Sequence, residues 1–189
     1  YEEFDGKNIL MHACYKGWFE IVKFICNYDE KILSIINKKN NNCLYYAVIS
    51  NKVNIDLIDF LLKRNVKYNL KCNCKKDTCL NIAVKIGNMS VAMLLLQYGA
   101  DPNILTEEKM TTLHYACSSL NSNMMNLLLI NGADPNVLNN NGETSKDILQ
   151  RIIDICEDEK SKTLASEMLA NLKRICYEQI NYNKEIKNN

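Results

Sequence analysis

Two stretches of this chain are nearly identical and lie 33 residues apart. Leu-Leu-Leu-Gln-Tyr-Gly-Ala-Asp-Pro-Asn ends at Asn103, and Leu-Leu-Leu-Ile-Asn-Gly-Ala-Asp-Pro-Asn ends at Asn136. A fixed period near 33 residues is typical of proteins built from stacked structural repeats. The spacing therefore predicts several similar units rather than one irregular core.

The other half of the unit is clearest at residues 111–116, which read Thr-Thr-Leu-His-Tyr-Ala. The same Leu and Ala phase recurs three times earlier, and a fifth copy begins near Gly142. These motifs resemble those of the ankyrin-repeat family across residues 1 to about 160, most closely in the third and fourth units. The resemblance implies an all-α solenoid of about five helix-turn-helix units with projecting loops, called fingers. The earlier copies are Leu10 with Ala13, Leu44 with Ala47, and Leu80 with Ala83.

The residues themselves also favour paired helices. Each repeat alanine is followed by a break, predicted at Gly17, Asn51, Gly87 and Asn121, and then by a second apolar run. Gly99 and Gly132 should end the second helices in a left-handed conformation. One such pair cannot bury its own apolar face, so neighbouring units must stack.

Two segments depart from the pattern. The second unit has two extra residues between Ala47 and Asn65, compared with the stretch from Ala83 to Gly99. Residues 27–42 lack the Gly-Ala-Asp-Pro turn and are rich in isoleucine. We expect an apolar loop there, folded back on the stack with an extra helical turn.

We predict a repeat array over residues 1–160, with its first unit starting mid-repeat, and a C-terminal capping helix and polar tail over 161–189. Residues 145–156 and 163–180 can both form helices. In the second, Leu164, Met168, Leu172 and Ile175 form one apolar stripe. Terminal units of solenoids need a polar outer face, which favours a cap over a partner-binding helix. Residues 181–189 should be frayed.

Composition narrows the classes of function. The net charge is only +1, and no basic cluster could neutralise many phosphates, so nucleic acid is not expected as a partner. No apolar run is long enough to insert into a membrane. The nine cysteines are an odd number at helix-core positions, which indicates reduced thiols. We therefore expect an intracellular, cytoplasmic or nuclear, monomeric protein.

Catalysis is not expected in these residues. The chain has two histidines, and Thr111 with His114 matches a helix cap rather than a catalytic pair. No nucleophile signature, phosphate-binding glycine loop or paired carboxylate stands out, and no cofactor is predicted.

A cysteine cluster is the one candidate metal site. Cys72, Cys74 and Cys79 fall within eight residues of a predicted exposed loop, beside lysines that would favour thiolates. Their spacing matches no common zinc site, and a fourth ligand such as Cys43 would have to come from elsewhere. Loop thiols without metal are the favoured interpretation.

By resemblance, the function is to bind a partner protein on the concave surface formed by fingers and first helices. The alternative is that this is the regulatory or recruiting part of a larger enzyme, such as a membrane acyltransferase or a kinase. The absence of an initial Met favours that alternative. The predicted contacts are a finger row of Lys7, Asn41, Asp77, Met110 and Glu143 and a helix row of Tyr15, Ile49, Lys85 and Ser118.

Overall fold

The computed structural model describes the backbone of residues 6–188 and the side chains of residues 6–178. In this part of the chain the regular elements are ten α-helices and one 3₁₀ turn, Glu30–Ser34, which confirms the all-α class. The helices form five successive pairs. They are α1 (Ile9–Lys16), α2 (Phe19–Tyr28), α3 (Cys43–Val48), α4 (Ile55–Lys63), α5 (Cys79–Lys85), α6 (Met89–Gln97), α7 (Thr112–Ser118), α8 (Ser122–Ile130), α9 (Ser145–Ile155) and α10 (Glu159–Asn188).

The first helix of each pair begins after an Asn or Thr that caps it. In α5 the Thr78 hydroxyl accepts a hydrogen bond from the Asn81 N–H, and the Asn81 side chain accepts one from the Thr78 N–H. In α7 the Nδ1 atom of His114 takes the role of that amide and accepts from the Thr111 N–H at 3.1 Å. These reciprocal bonds satisfy donors that a helix start leaves open. The predicted structural role of His114 is confirmed.

The helix breaks agree with the sequence at most positions. Gly17, Gly87, Gly99 and Gly132 all have a positive φ, between 70° and 85°. The predicted break at Asn121 is off by one residue. Leu120 takes the left-handed conformation, with φ 52°, while Asn121 caps α8 with its side chain.

The irregular second unit is also explained. Residues 49–54 connect α3 to α4, whereas residues 86–88 connect α5 to α6, so the extra residues lie between the helices. In the segment before α3, Leu33 of the 3₁₀ turn is buried as expected. Ile35 and Ile36 remain about half exposed, so only part of that segment folds back.

Contacts divide the chain into two compact units, Tyr1–Glu108 and Lys109–Asn189. In unit 1, α1 packs on α3 and α3 on α5, while α2 packs on α4 and α4 on α6. Its core contains Leu10, Leu44, Leu80 and Leu95, each 1% exposed or less. Burying each leucine stabilises the fold by about 1.5 to 3 kcal/mol.

In unit 2, α9 contacts both α7 and α10. Met168 and Leu172 of α10 are buried as the predicted stripe requires, and Leu164 and Ile175 are half-buried. The helix continues to Asn188, so the backbone of residues 181–188 is helical where a frayed tail was expected. The last predicted tail residue, Asn189, lies outside the described residues.

Candidate protein-interaction surface

Asparagine side chains shape the finger loops of unit 1. The Oδ1 atom of Asn37 accepts hydrogen bonds from the N–H groups of Lys39 and Asn41, at 3.0 and 2.9 Å. Asn73 accepts in the same way from Lys75 and Asp77, at 2.8 and 3.4 Å. A short amide that bonds its own backbone in this way favours a turn. These asparagines are not among the predicted contacts, although each stands four residues before a finger position.

Two predicted finger contacts, Asn41 and Asp77, are buried, contrary to the expectation that they project into solvent. Asn41 is 2% exposed, and its Oδ1 accepts from the Asn73 N–H at 2.8 Å, which joins one finger to the next. Asp77 is 4% exposed and forms an ion pair with Lys85 at 2.5 Å. These side chains hold the loops in place, and Lys85 is fixed beside them.

Three predicted residues, Lys7, Asn41 and Ile49, meet at one groove between the fingers and α3 of unit 1. The groove has a volume of about 250 Å³. Tyr15 lies beside it, because the Lys7 Nζ atom is 5.2 Å from the Tyr15 ring and 5.0 Å from the Tyr46 ring. The lining residues are Lys7, Lys39, Asn41, Tyr45, Tyr46, Ile49, Asn73 and Cys74.

Tyr45 and Tyr46 also line this groove, and they are not among the predicted contacts. Their rings meet edge to face at 5.2 Å. The Tyr46 hydroxyl accepts a hydrogen bond from Asn37 at 2.9 Å, so its ring is held rigidly. Burial raises the pKa of the Tyr45 hydroxyl, which therefore stays protonated and can donate. The sequence did offer a signal for them, because Tyr45 and Tyr46 are aromatic residues directly before the repeat alanine Ala47.

Among the described residues that line the groove there are two lysines and no carboxylate. Lys7 over two aromatic rings places a fixed positive charge at an apolar surface. A groove with this composition favours an acidic group next to an apolar one.

The predicted residues of unit 2 are held by internal bonds. Glu143 accepts from Asn139 at 3.1 Å and pairs with Arg151 at 2.7 Å, and these two bonds lower the pKa of its carboxyl group. The Ser118 hydroxyl donates to the backbone oxygen of His114 at 2.8 Å. Met110 is partly buried, and its sulfur accepts from Asn139 at 3.5 Å.

The candidate metal ligands do not share an exposed loop. Cys72 and Cys79 are fully buried, and the Cys72 thiol donates to the backbone oxygen of Leu70 at 3.5 Å, while Cys74 is exposed at the groove. The expectation of three exposed thiols is therefore wrong for two of them. Cys43 is buried against Cys14. Within the described residues, no group of three or more His, Cys, Asp or Glu side chains could hold a metal ion.

A family model described as ankyrin repeats, which covers three copies of the repeat, matches residues 1–72 and 54–139. The chain belongs to the ankyrin-repeat family. Ankyrin repeats are generally protein-interaction modules and are typically not catalytic. Among the described residues, no helix is both long and apolar enough to span a membrane.

Several known proteins are similar over part of this chain. An ankyrin repeat protein of Acanthamoeba polyphaga mimivirus is 30% identical over 120 residues, which are 60% of this chain and 15% of that protein. A human palmitoyltransferase is 30% identical over 80 residues, 42% of this chain and 12% of the enzyme. A regulatory protein of Saccharomyces cerevisiae is 34% identical over 97 residues, 50% of this chain and 10% of that protein. The chain thus spans 15% or less of the length of these relatives.

Proposed function

We propose that this ankyrin-repeat chain is a protein-interaction module or scaffold that binds a partner protein through the groove of unit 1. The observation that carries the proposal is the meeting of Lys7, Tyr45 and Ile49 at one groove, with Tyr15 beside Lys7. Aromatic side chains are enriched at the centres of protein interfaces, where a few desolvated groups supply most of the binding energy. The polar finger residues around the groove match the rim of such an interface.

The proposed ligand is a short partner segment with an acidic side chain beside an apolar one. The carboxylate would lie near Lys7, and the apolar side chain would pack on Ile49 and Tyr45. Lys7 is already fixed against two tyrosine rings, so its charge costs little entropy to order on binding.

The location, the class of partner and the oligomeric state are proposed together with this function. All nine cysteines are free thiols, which supports an intracellular, cytoplasmic or nuclear location. The near-neutral net charge supports a protein rather than a nucleic-acid partner, and a monomeric state is proposed with it.

Cys74 gives direct chemical access to the groove. A photo-crosslinker attached to Cys74, with Cys156→Ser to remove a second accessible thiol, should capture the partner in cell extract. Mass spectrometry then identifies the partner and the crosslinked segment. The matched control carries Cys74→Ser and the crosslinker on Cys156, and it should not capture the same protein.

Binding of the identified partner is then measured with Ile49→Asp. The variant should weaken binding by at least about 30-fold, because a charge placed in a desolvated interface costs about 2 kcal/mol. Ile130→Asp, on a side chain that is 84% exposed in α8, should leave binding unchanged. Undisturbed binding by Ile49→Asp, together with loss of binding by Tyr177→Asp on α10, would move the site to the C-terminal helix.

A second candidate function is that of a regulatory or substrate-recruiting segment of a larger enzyme. The similarity to the human palmitoyltransferase favours it. The complete gene tests this alternative, because an adjoining catalytic or membrane-spanning region would support it and its absence would contradict it.

A further inference from the structure

The first helix pair exposes positions that are buried in the pairs that follow. The first residue of the first helix is Cys43 in α3, Cys79 in α5 and Ser145 in α9, and each is 1% exposed or less. The equivalent residue of α1 is Ile9, which is 66% exposed.

The second helices show the same contrast. Their third residue is Leu57 in α4 and Val91 in α6, and both are buried, whereas Ile21 in α2 is 45% exposed. An exposed isoleucine is unremarkable alone, but two at equivalent stacking positions define one uncovered face.

Unit 1 shows what covers this face in later repeats. Cys43 is covered by α1, since α1 packs on α3 and the Cys43 thiol lies next to that of Cys14. In α4, the Phe60 ring lies 5.7 Å from Phe19 of α2, edge to face. In both cases the cover is the preceding helix pair. The residue equivalent to Phe60 is Phe24 in α2, and it is 73% exposed.

The end of each second helix also reaches back to the preceding pair. Arg64, after α4, donates to Asn27 at 2.9 Å, and Tyr98, after α6, donates to Asp59 at 2.7 Å. Tyr28 occupies this position in α2 and is 87% exposed.

A terminal repeat that faced water would need a polar outer face. Helix α10 of unit 2 has such a face, with Thr163, Ser166, Glu167 and Lys173 exposed. On α2 the corresponding exposed stripe is Ile21, Phe24 and Tyr28, with the spacing of one helical face. The α1–α2 face therefore has the chemistry of an internal stacking surface and not that of a cap.

We propose that the face formed by Ile9, Ile21, Phe24 and Tyr28 is covered by a further ankyrin-type helix pair, stacked in the register in which α1 lies on α3. The occupant presents apolar side chains to Ile9 and Ile21 and a hydrogen-bond acceptor to Tyr28, as Asp59 does to Tyr98. This surface is continuous with the stacking interface of unit 1, and it is separate from the finger groove.

The test adds one helix pair and measures the stability of the first repeat. A copy of residues 42–77 replaces residues 1–7, so that the copied α3 and α4 precede Asn8 as they precede Thr78 in the chain. The copied Asp59 can then accept from Tyr28. Trp18, the only tryptophan, reports unfolding of the first repeat by fluorescence. The midpoint of its thermal transition should rise by about 5 °C or more.

Matched substitutions identify the interface. In the original chain, Tyr28→Phe and the pair Ile9→Ser with Ile21→Ser should change the midpoint little, because these side chains are exposed. In the extended chain, Tyr28→Phe should remove part of the gain and the serine pair most of it. Overturning results are an unchanged midpoint in the extended chain or equal effects in both chains. A dimer of the original chain in sedimentation, abolished by the serine pair, would also overturn the proposal by making a second copy the occupant.

Discussion

Single residues set the finger turns. The residue just before each finger position has a positive φ and is Gly6, Asn40, Lys76, Lys109 or Gly142. Glycine takes this conformation without strain, whereas lysine has a Cβ that crowds the backbone. The chain thus places strained residues where its own first and fifth repeats have glycine.

Replacing Lys109, with φ 53°, by glycine should therefore stabilise the protein. We expect a gain of about 0.5 to 1 kcal/mol, since the relieved strain exceeds the added entropy of the unfolded chain. Urea denaturation measures it. Lys109→Ala is the control, because it removes the long side chain but keeps the Cβ, and it should give no gain.

The neutral imidazole of His114 predicts a pH dependence of stability. Its Nδ1 accepts from the Thr111 N–H, and its Nε2–H donates to the Glu143 carbonyl oxygen at 3.2 Å. Burial lowers the pKa of this buried ring below its usual 6.5. As the pH falls below that value, the unfolded chain takes up a proton that the folded chain resists, so the stabilisation is lost.

The matched variant is His114→Asn, since Asn81 makes the same cap in α5 without titrating. The unmodified protein should be more stable than the variant at about pH 7, and this advantage should shrink by about pH 5. Urea midpoints across this range measure it. A constant difference would contradict the assigned protonation state.

Two glycines that end helices in the same conformation differ in the space around them. Gly17 and Gly87 end α1 and α5 with φ values of 70° and 72°. A Cβ on Gly17 would lie 2.7 Å from the backbone oxygen of Lys52, whereas a Cβ on Gly87 would meet nothing within 4 Å.

Gly87→Ala should therefore cost about 1 kcal/mol, from the left-handed conformation alone. Gly17→Ala should cost at least about 1 kcal/mol more, because the backbone around Lys52 must move to make room for the new Cβ. Thermal denaturation of both variants measures the difference. Equal losses would show that the loop containing Lys52 yields freely.

The helices could be predicted from sequence because the repeat fixes their period and because glycine marks their ends. Leu95 and Leu128 are fully buried where the repeat aligned them. The break at Leu120 could not be predicted, since a leucine with positive φ is set by the flanking helices and contradicts its own preference. The 3₁₀ turn Glu30–Ser34 agrees with the extra helical turn expected within residues 27–42.

The whole molecule shows why the site was harder to predict than the fold. Equivalence between repeats correctly placed Lys7, Tyr15 and Ile49 near one surface. It gave no information on burial, which depends on neighbouring loops, so Asn41 and Asp77 were taken for contacts. The exposed face of the first repeat was also missed, because Ile9 fits the apolar pattern whether or not anything covers it.

Thiol chemistry tests the packing of the whole chain at once. Seven of the nine cysteines are buried, Cys156 is partly exposed and Cys74 is exposed. Burial raises the pKa of Cys26 to about 11 and that of Cys117 to about 12. Because only the thiolate alkylates, these buried thiols are protected by both access and charge state.

In the native protein, iodoacetamide at about pH 7.5 should therefore modify Cys74 rapidly and Cys156 more slowly, while the seven buried cysteines react only in denaturant. Mass spectrometry of timed samples gives the order, and Cys74→Ser should remove the fast phase.

Elemental analysis of the same protein, purified without chelator, should show clearly less than one zinc per chain. The reason is that Cys72 and Cys79 are buried while Cys74 is exposed, so the three thiols do not converge on one metal position. One zinc per chain that protects Cys74 from alkylation, and that is lost in Cys72→Ser, would reverse this assignment of the loop thiols.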